Sequence, residues 1–185
     1  MASSKSRVRS KALLVSEVAL FSALLIATRL FKLRLHVPGT GSITWIVVLL
    51  IARGISDYPT TATLVGLVSG TIITVTGIDI PPGPQQMLKY VLAGATIDAL
   101  EYLVLKRSRN PLSYGATGGA ASLAKLFTVY LIALVLNLPV FVTGAILAYA
   151  TILNLLFGAI AGVIAFYIIK ILVMRNGNEE YNSRG

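Results

Sequence analysis

Apolar residues in this chain come in runs too long for the interior of a small soluble domain. The run at residues 12–30 holds roughly 19 residues, with only Glu17 and Arg29 charged; crossing the hydrocarbon core of a bilayer takes about 20. Further runs lie at 43–55, 61–76, 86–105, 113–136 and 143–173. Short punctuation separates them: Asp57-Tyr-Pro-Thr60, the Pro-rich stretch 77–84 and Asn137-Leu-Pro139, where proline cannot continue a helix. Six such runs nearly exhaust the 185 residues, so no separate soluble domain fits. Composition agrees. Charged residues make up 12% and hydrophobic ones 56%, whereas soluble domains are about 25% charged.

The expected fold is therefore all-α: a polytopic membrane protein with six transmembrane helices in a compact bundle at residues 12–173. A basic tail (1–11) precedes it and a polar, frayed tail (174–185) follows. The 43–55 run is short for a span, which implies tilt, burial among neighbours or extension into its flanks. The first run is expected to stay as a span. It is too long for the apolar part of a signal peptide, and no small-x-small pattern ends it.

Charge then sets orientation. The net charge is +9, from sixteen Lys+Arg against seven Asp+Glu. With six spans both termini share one side, together with Lys5, Arg7, Arg9, Lys11, Arg53, Lys106, Arg107, Arg109, Lys170, Arg175 and Arg184. The other side holds only Arg29, Lys32, Arg34 and Lys89, and Lys125 lies within a span. The positive-inside bias places both termini in the cytoplasm. The excess charge is thus orientation and contact with cytoplasmic lipid headgroups, with no call for nucleic acid. No cysteine is present and His36 is the single histidine, which excludes thiolate and multi-histidine metal sites. No P-loop pattern occurs, so ATP would have to act through other subunits. No cofactor and no catalytic residues are expected.

Three sets of residues can carry function. Ala12, Ser16, Ala19, Ala23 and Ala27 form a small-residue stripe on one face of the first span. It serves either a partner membrane protein or packing within the chain; Gly158-x-x-x-Gly162 is a weaker pattern of the same kind. The second set is Arg29, Lys32, Arg34 and His36 before Pro38-Gly-Thr-Gly-Ser42, with Lys89 following Gln85 and Gln86. These surround outward helix N-termini that suit a carboxylate or phosphate, or they contact lipid headgroups. Trp45 is either an interfacial anchor or a stacking surface for a ring.

The third set lies at depth: Glu17, Asp98, Glu101, Lys125 and Asn154. A charge in hydrocarbon costs roughly 2.5–3.5 kcal/mol on insertion scales, so each needs a partner. At about 1.5 Å per residue, Asp98 and Lys125 fall near mid-bilayer and are expected to be able to meet there, with Glu101 one turn further in. They are either a pocket floor or proton relay, or a structural ion pair. Glu17 is expected near the cytoplasmic interface, and Asn154 either bonds between helices or faces a ligand. Candidate substrate-binding residues are therefore Arg34, His36, Trp45, Gln86, Lys89, Asp98, Lys125 and Asn154.

Six spans, both termini inside, Ala19-x-x-x-Ala23-x-x-x-Ala27 on the first span and a Gly/Pro-rich outer loop after it resemble the substrate-binding S components of energy-coupling factor (ECF) vitamin transporters. The resemblance covers the whole chain and rests on architecture plus one short motif. It implies that Ala19, Ala23 and Ala27 meet a transmembrane coupling subunit served by two ATPase subunits. It also implies that the first outer loop, residues 34–42, covers a pocket for a vitamin or related micronutrient at the plasma membrane. The segment from His36 to Trp45 points to no particular vitamin. Two rival readings are a stand-alone secondary transporter using Asp98, Glu101 or Lys125, and a lipid-modifying enzyme using Asp98 and Glu101.

Overall fold

The computed structural model describes residues 2–30, 40–78, 83–106, 108–135 and 144–182. Within them the chain is all-helical: α1 (Ala2–Leu30), α2 (Thr40–Ile55), α3 (Thr61–Thr76), α4 (Pro84–Leu100) continuing as a π-helical turn (Glu101–Leu105), α5 (Pro111–Val135) and α6 (Gly144–Asn182). Each apolar run becomes one helix. Local chemistry sets several ends. Pro84 occupies the first turn of α4 after Gly83, where a missing N–H costs nothing. Asn110 Oδ1 accepts from Ser113 N–H at 2.7 Å and caps α5. α3 stops at Gly77, whose φ of 65° lets its N–H return to the Ile73 carbonyl, a conformation that favours glycine. The break expected at Asn137-Leu-Pro139 lies outside the described residues. Both sequence tails are partly helical: α1 begins at Ala2 and α6 runs on to Asn182, so most of the expected frayed C-terminal tail is helix.

The short second helix is short because it is interior. α2 touches each of the other five helices, and Trp45, Ile46, Val48, Leu49, Leu50 and Ala52 are all buried. Of the three explanations for its length, burial holds, together with extension back to Thr40. α1 packs against α2 and α3 through Phe21, Ser22, Leu25 and Arg29.

The α5–α6 seam is built from small residues. A Cβ added to Gly118 would strike the Gly158 carbonyl, and one added to Gly162 would strike the Tyr114 carbonyl and the Gly115 backbone. The Gly158-x-x-x-Gly162 pattern is thus an internal contact, in which backbones approach closely for lack of side chains. Gly162→Leu is expected to cost about 1–3 kcal/mol or more through overpacking, read as a lowered unfolding midpoint in detergent. Val75→Leu, on the 82%-exposed surface of α3, serves as the control.

Polar side chains lie inside beside the apolar core, and large apolar ones cover much of the surface. Ser42, Thr61, Ser69, Gln86, Glu101, Thr117, Ser122 and Asn154 are inside, while Val15, Leu20, Val75, Leu103, Leu112 and Ile171 stand well exposed. Soluble monomers rarely show extended apolar surface. Two segments, Lys11–Leu30 and Ala148–Met174, are long and apolar enough to cross a membrane, and Ser42–Ile55 and Thr61–Thr76 are shorter apolar helices. By length and composition, these helices point to membrane association.

Candidate functional site

Antiparallel alternation brings the C-terminal end of α1, the N-terminal ends of α2 and α4, the far half of α5 and the near half of α6 to one end of the bundle. Two polar clusters sit there, flanking the first turns of α2. In the first, Trp45 and Tyr90 meet edge to face, with ring centroids 5.3 Å apart at 81°. The Arg29 guanidinium carbon lies 5.3 Å from the Tyr90 ring and 6.0 Å from the Trp45 ring. Lys89 Nζ stands 4.9 Å from the Tyr90 ring, so this ring faces two cations. Gln86, one turn before Tyr90, is buried. Trp45 is fully buried, and its Nε1–H has no acceptor among the described residues. Trp45 thus packs inside the bundle against Tyr90, and not on its outer surface as an interfacial anchor would.

In the second cluster, Lys125 Nζ donates to Ser42 Oγ at 2.7 Å and to Asn154 Oδ1 at 3.4 Å. Ser42 Oγ donates to Asn154 Oδ1 at 3.3 Å, and Asn154 Nδ2 donates to the Ala150 carbonyl at 2.8 Å. Ser42 and Asn154 are buried, so Asn154 does bond between helices. One turn from Lys125, Ser122 Oγ is buried without a hydrogen-bond partner among the described residues.

The opposite end holds the acids. Asp98 accepts from the N–H groups of Ala62 (3.2 Å) and Thr63 (2.8 Å) and from Thr63 Oγ1 (2.6 Å). Arg53 Nε lies 3.3 Å away. Asp98 therefore caps α3 from across the bundle, where free N–H groups and the positive dipole end favour a carboxylate. The expected meeting with Lys125 does not form: Asp98 is turned to Arg53 and the start of α3, and Lys125 to Ser42 and Asn154. Glu17 accepts from Ser56 Oγ at 2.6 Å. That hydroxyl accepts from Thr61 Oγ1 at 2.8 Å, and Arg53 donates to the Ser56 carbonyl. Buried Glu101 lies 3.7 Å from exposed Arg109.

No known protein family, characterised protein or solved structure matches the chain. The functional reading therefore rests on geometry.

Of the candidate substrate residues, Trp45, Gln86, Lys89, Lys125 and Asn154 share one end; Asp98 lies at the other. Arg34 and His36, with Lys32, lie outside the described residues. Sequence reasoning placed Ser42 in a loop and overlooked Tyr90. The i,i+3 spacing of Ser42 and Trp45 and the adjacency of Lys89 and Tyr90 were the available signals. Arg53, read from sequence as an orientation charge, is a structural partner of Asp98. On α1, Ala12, Ser16, Ala19 and Ala23 are exposed and Ala27 is half-buried. The stripe is left largely uncovered by the chain's own helices.

Proposed function

We propose that the chain is a substrate-capture S component of an ECF-type importer, spanning the plasma membrane six times with both termini in the cytoplasm. The carrying observation is the gathering of Arg29, Ser42, Trp45, Lys89, Tyr90, Lys125 and Asn154 at one end of the bundle, while Ala19 and Ala23 stay exposed on α1. The concentration of basic residues at the other end supports a cytoplasmic placement for it. α2 and α3, each 16 residues, reach about 24 Å against a core of about 30 Å. Burial shields α2 from that mismatch.

The substrate is a vitamin or related micronutrient with an anionic group, drawn by the cations of the outer end. It seats near the α2 N-terminus. Docking on a coupling subunit through the α1 stripe, with two ATPase subunits supplying the energy, completes uptake. The chain itself performs no chemistry and carries no cofactor. The proton-relay and lipid-enzyme alternatives lose support because Asp98 is engaged by Arg53 and α3, away from Lys125, and Glu101 lies beside Arg109.

The test is mass spectrometry of the small molecule released on denaturing protein purified in mild detergent. A stoichiometric anionic micronutrient is expected, and Lys125→Met should reduce its retention by roughly 10–100-fold, as befits a charge-assisted contact. Absence of any bound molecule, with no binding of added vitamins, would sink the assignment.

A further inference from the structure

A concavity lies away from the polar clusters, on the flank of the α5–α6 pair. It is an open groove of about 530 Å³ whose lining is almost entirely apolar. Ala116 and Gly119 of α5 and Ala159 of α6 form its floor, and Leu112, Ile160 and Ile164 form its rims. The floor exists because the α5–α6 seam uses glycine and alanine, which leaves a furrow where larger side chains would otherwise stand. Leu112 is 81% exposed and Ile160 is 48% exposed, so the groove opens sideways, where a bilayer would place acyl chains.

Cations mark one end of it. Arg109, three residues before Leu112, has a side chain 67% exposed despite its 3.7 Å approach to Glu101. Lys170 is exposed on α6, seven residues beyond Val163 of the groove wall. That spacing keeps it within about 20° of the same helical stripe and about 10 Å nearer the cytoplasmic end.

We infer that this groove binds an anionic phospholipid of the cytoplasmic leaflet. One acyl chain lies on the Ala116–Gly119–Ala159 floor, and the phosphate-bearing headgroup meets Arg109 and Lys170. An apolar trough with cations at a single end is complementary to that amphiphile. A second copy of the chain fits less well: in a shared membrane orientation it would bring its own Arg109 and Lys170 to the same level, opposing like charges. The inference rests on the membrane placement proposed above and is independent of the cargo.

Native mass spectrometry of the full chain released from detergent micelles, after incubation with phosphatidylglycerol or phosphatidylcholine, tests it. One retained phosphatidylglycerol is expected, favoured over phosphatidylcholine on the order of tenfold, since each interfacial cation attracts anionic lipid. Ala116→Phe fills the trough and should abolish retention, whereas Val75→Phe, which places the same side chain at an exposed site elsewhere, should not. The double change Arg109→Gln with Lys170→Gln should erase the preference for phosphatidylglycerol. Equal retention of the two lipids by the unaltered chain, equal retention in Ala116→Phe and Val75→Phe, or a dimer lost on Ala116→Phe would each overturn the lipid site alone. Release of the chain from membranes by alkaline carbonate would overturn the membrane placement beneath it.

Discussion

Asp98→Ala is expected to destabilise the protein by about 3–5 kcal/mol, the cost of leaving one partner of a buried charge pair alone. Three features place it at the high end. The Asp98 side chain is 9% exposed and that of Arg53 13%. The same carboxylate accepts from two backbone N–H groups at the start of α3. It also holds the Thr63 hydroxyl. Removing it strands a guanidinium and two helix-terminal donors in an apolar interior, where unpaired donors cost far more than in water. Asp98→Asn keeps one acceptor oxygen and should lose less. The double change Arg53→Met with Asp98→Leu should recover most of the loss, because replacing both partners of a buried pair by apolar groups is often neutral. Thermal unfolding in detergent, followed by the fluorescence of the single tryptophan, Trp45, checks this. A double variant as unstable as Asp98→Ala would show that the helix cap, not the ion pair, carries the energy.

Ala19→Trp with Ala23→Trp should abolish assembly with a coupling subunit while leaving the fold and the bound small molecule intact. Both alanines are exposed, and α1 uses a different face, through Phe21, Ser22, Leu25 and Arg29, to pack on the bundle. Bulk on the alanine face therefore disturbs nothing inside the chain, yet prevents the close helix approach that small residues permit. A tagged chain purified from the membranes of its own cell should bring a transmembrane subunit and ATPases, and the variant should bring neither. Leu13→Trp, on the same helix at an exposed position, should retain them. Unchanged assembly in the double variant would count against the S-component reading.

Several of these expectations were legible in the sequence and others were not, for identifiable reasons. Residues 61–76 were read as a helix and form α3 with those bounds, because composition and the Pro59 and Gly77 punctuation are local signals. Residues 43–55 are short for a span, but their burial is not legible in the sequence, because length says nothing of neighbours. Asp98 and Lys125 were set at compatible depths by counting residues. Depth follows from the rise per residue, but the direction in which each side chain points follows from helix rotation and from which helices adjoin. Those decided that Asp98 caps α3 and that Lys125 meets Ser42 and Asn154.

By itself, the sequence determined the helical, lipid-compatible character of the chain, the boundaries of its apolar segments and the unequal distribution of its basic residues. All three are properties of composition and order along the backbone. Only the tertiary structure decided which helix is central, which face of α1 is left bare, and which polar groups share an end. Those outcomes depend on how six apolar cylinders of similar character pack. In such a set the selective forces are close glycine contacts and the pairing of a few buried polar groups, contributed by residues far apart in the chain.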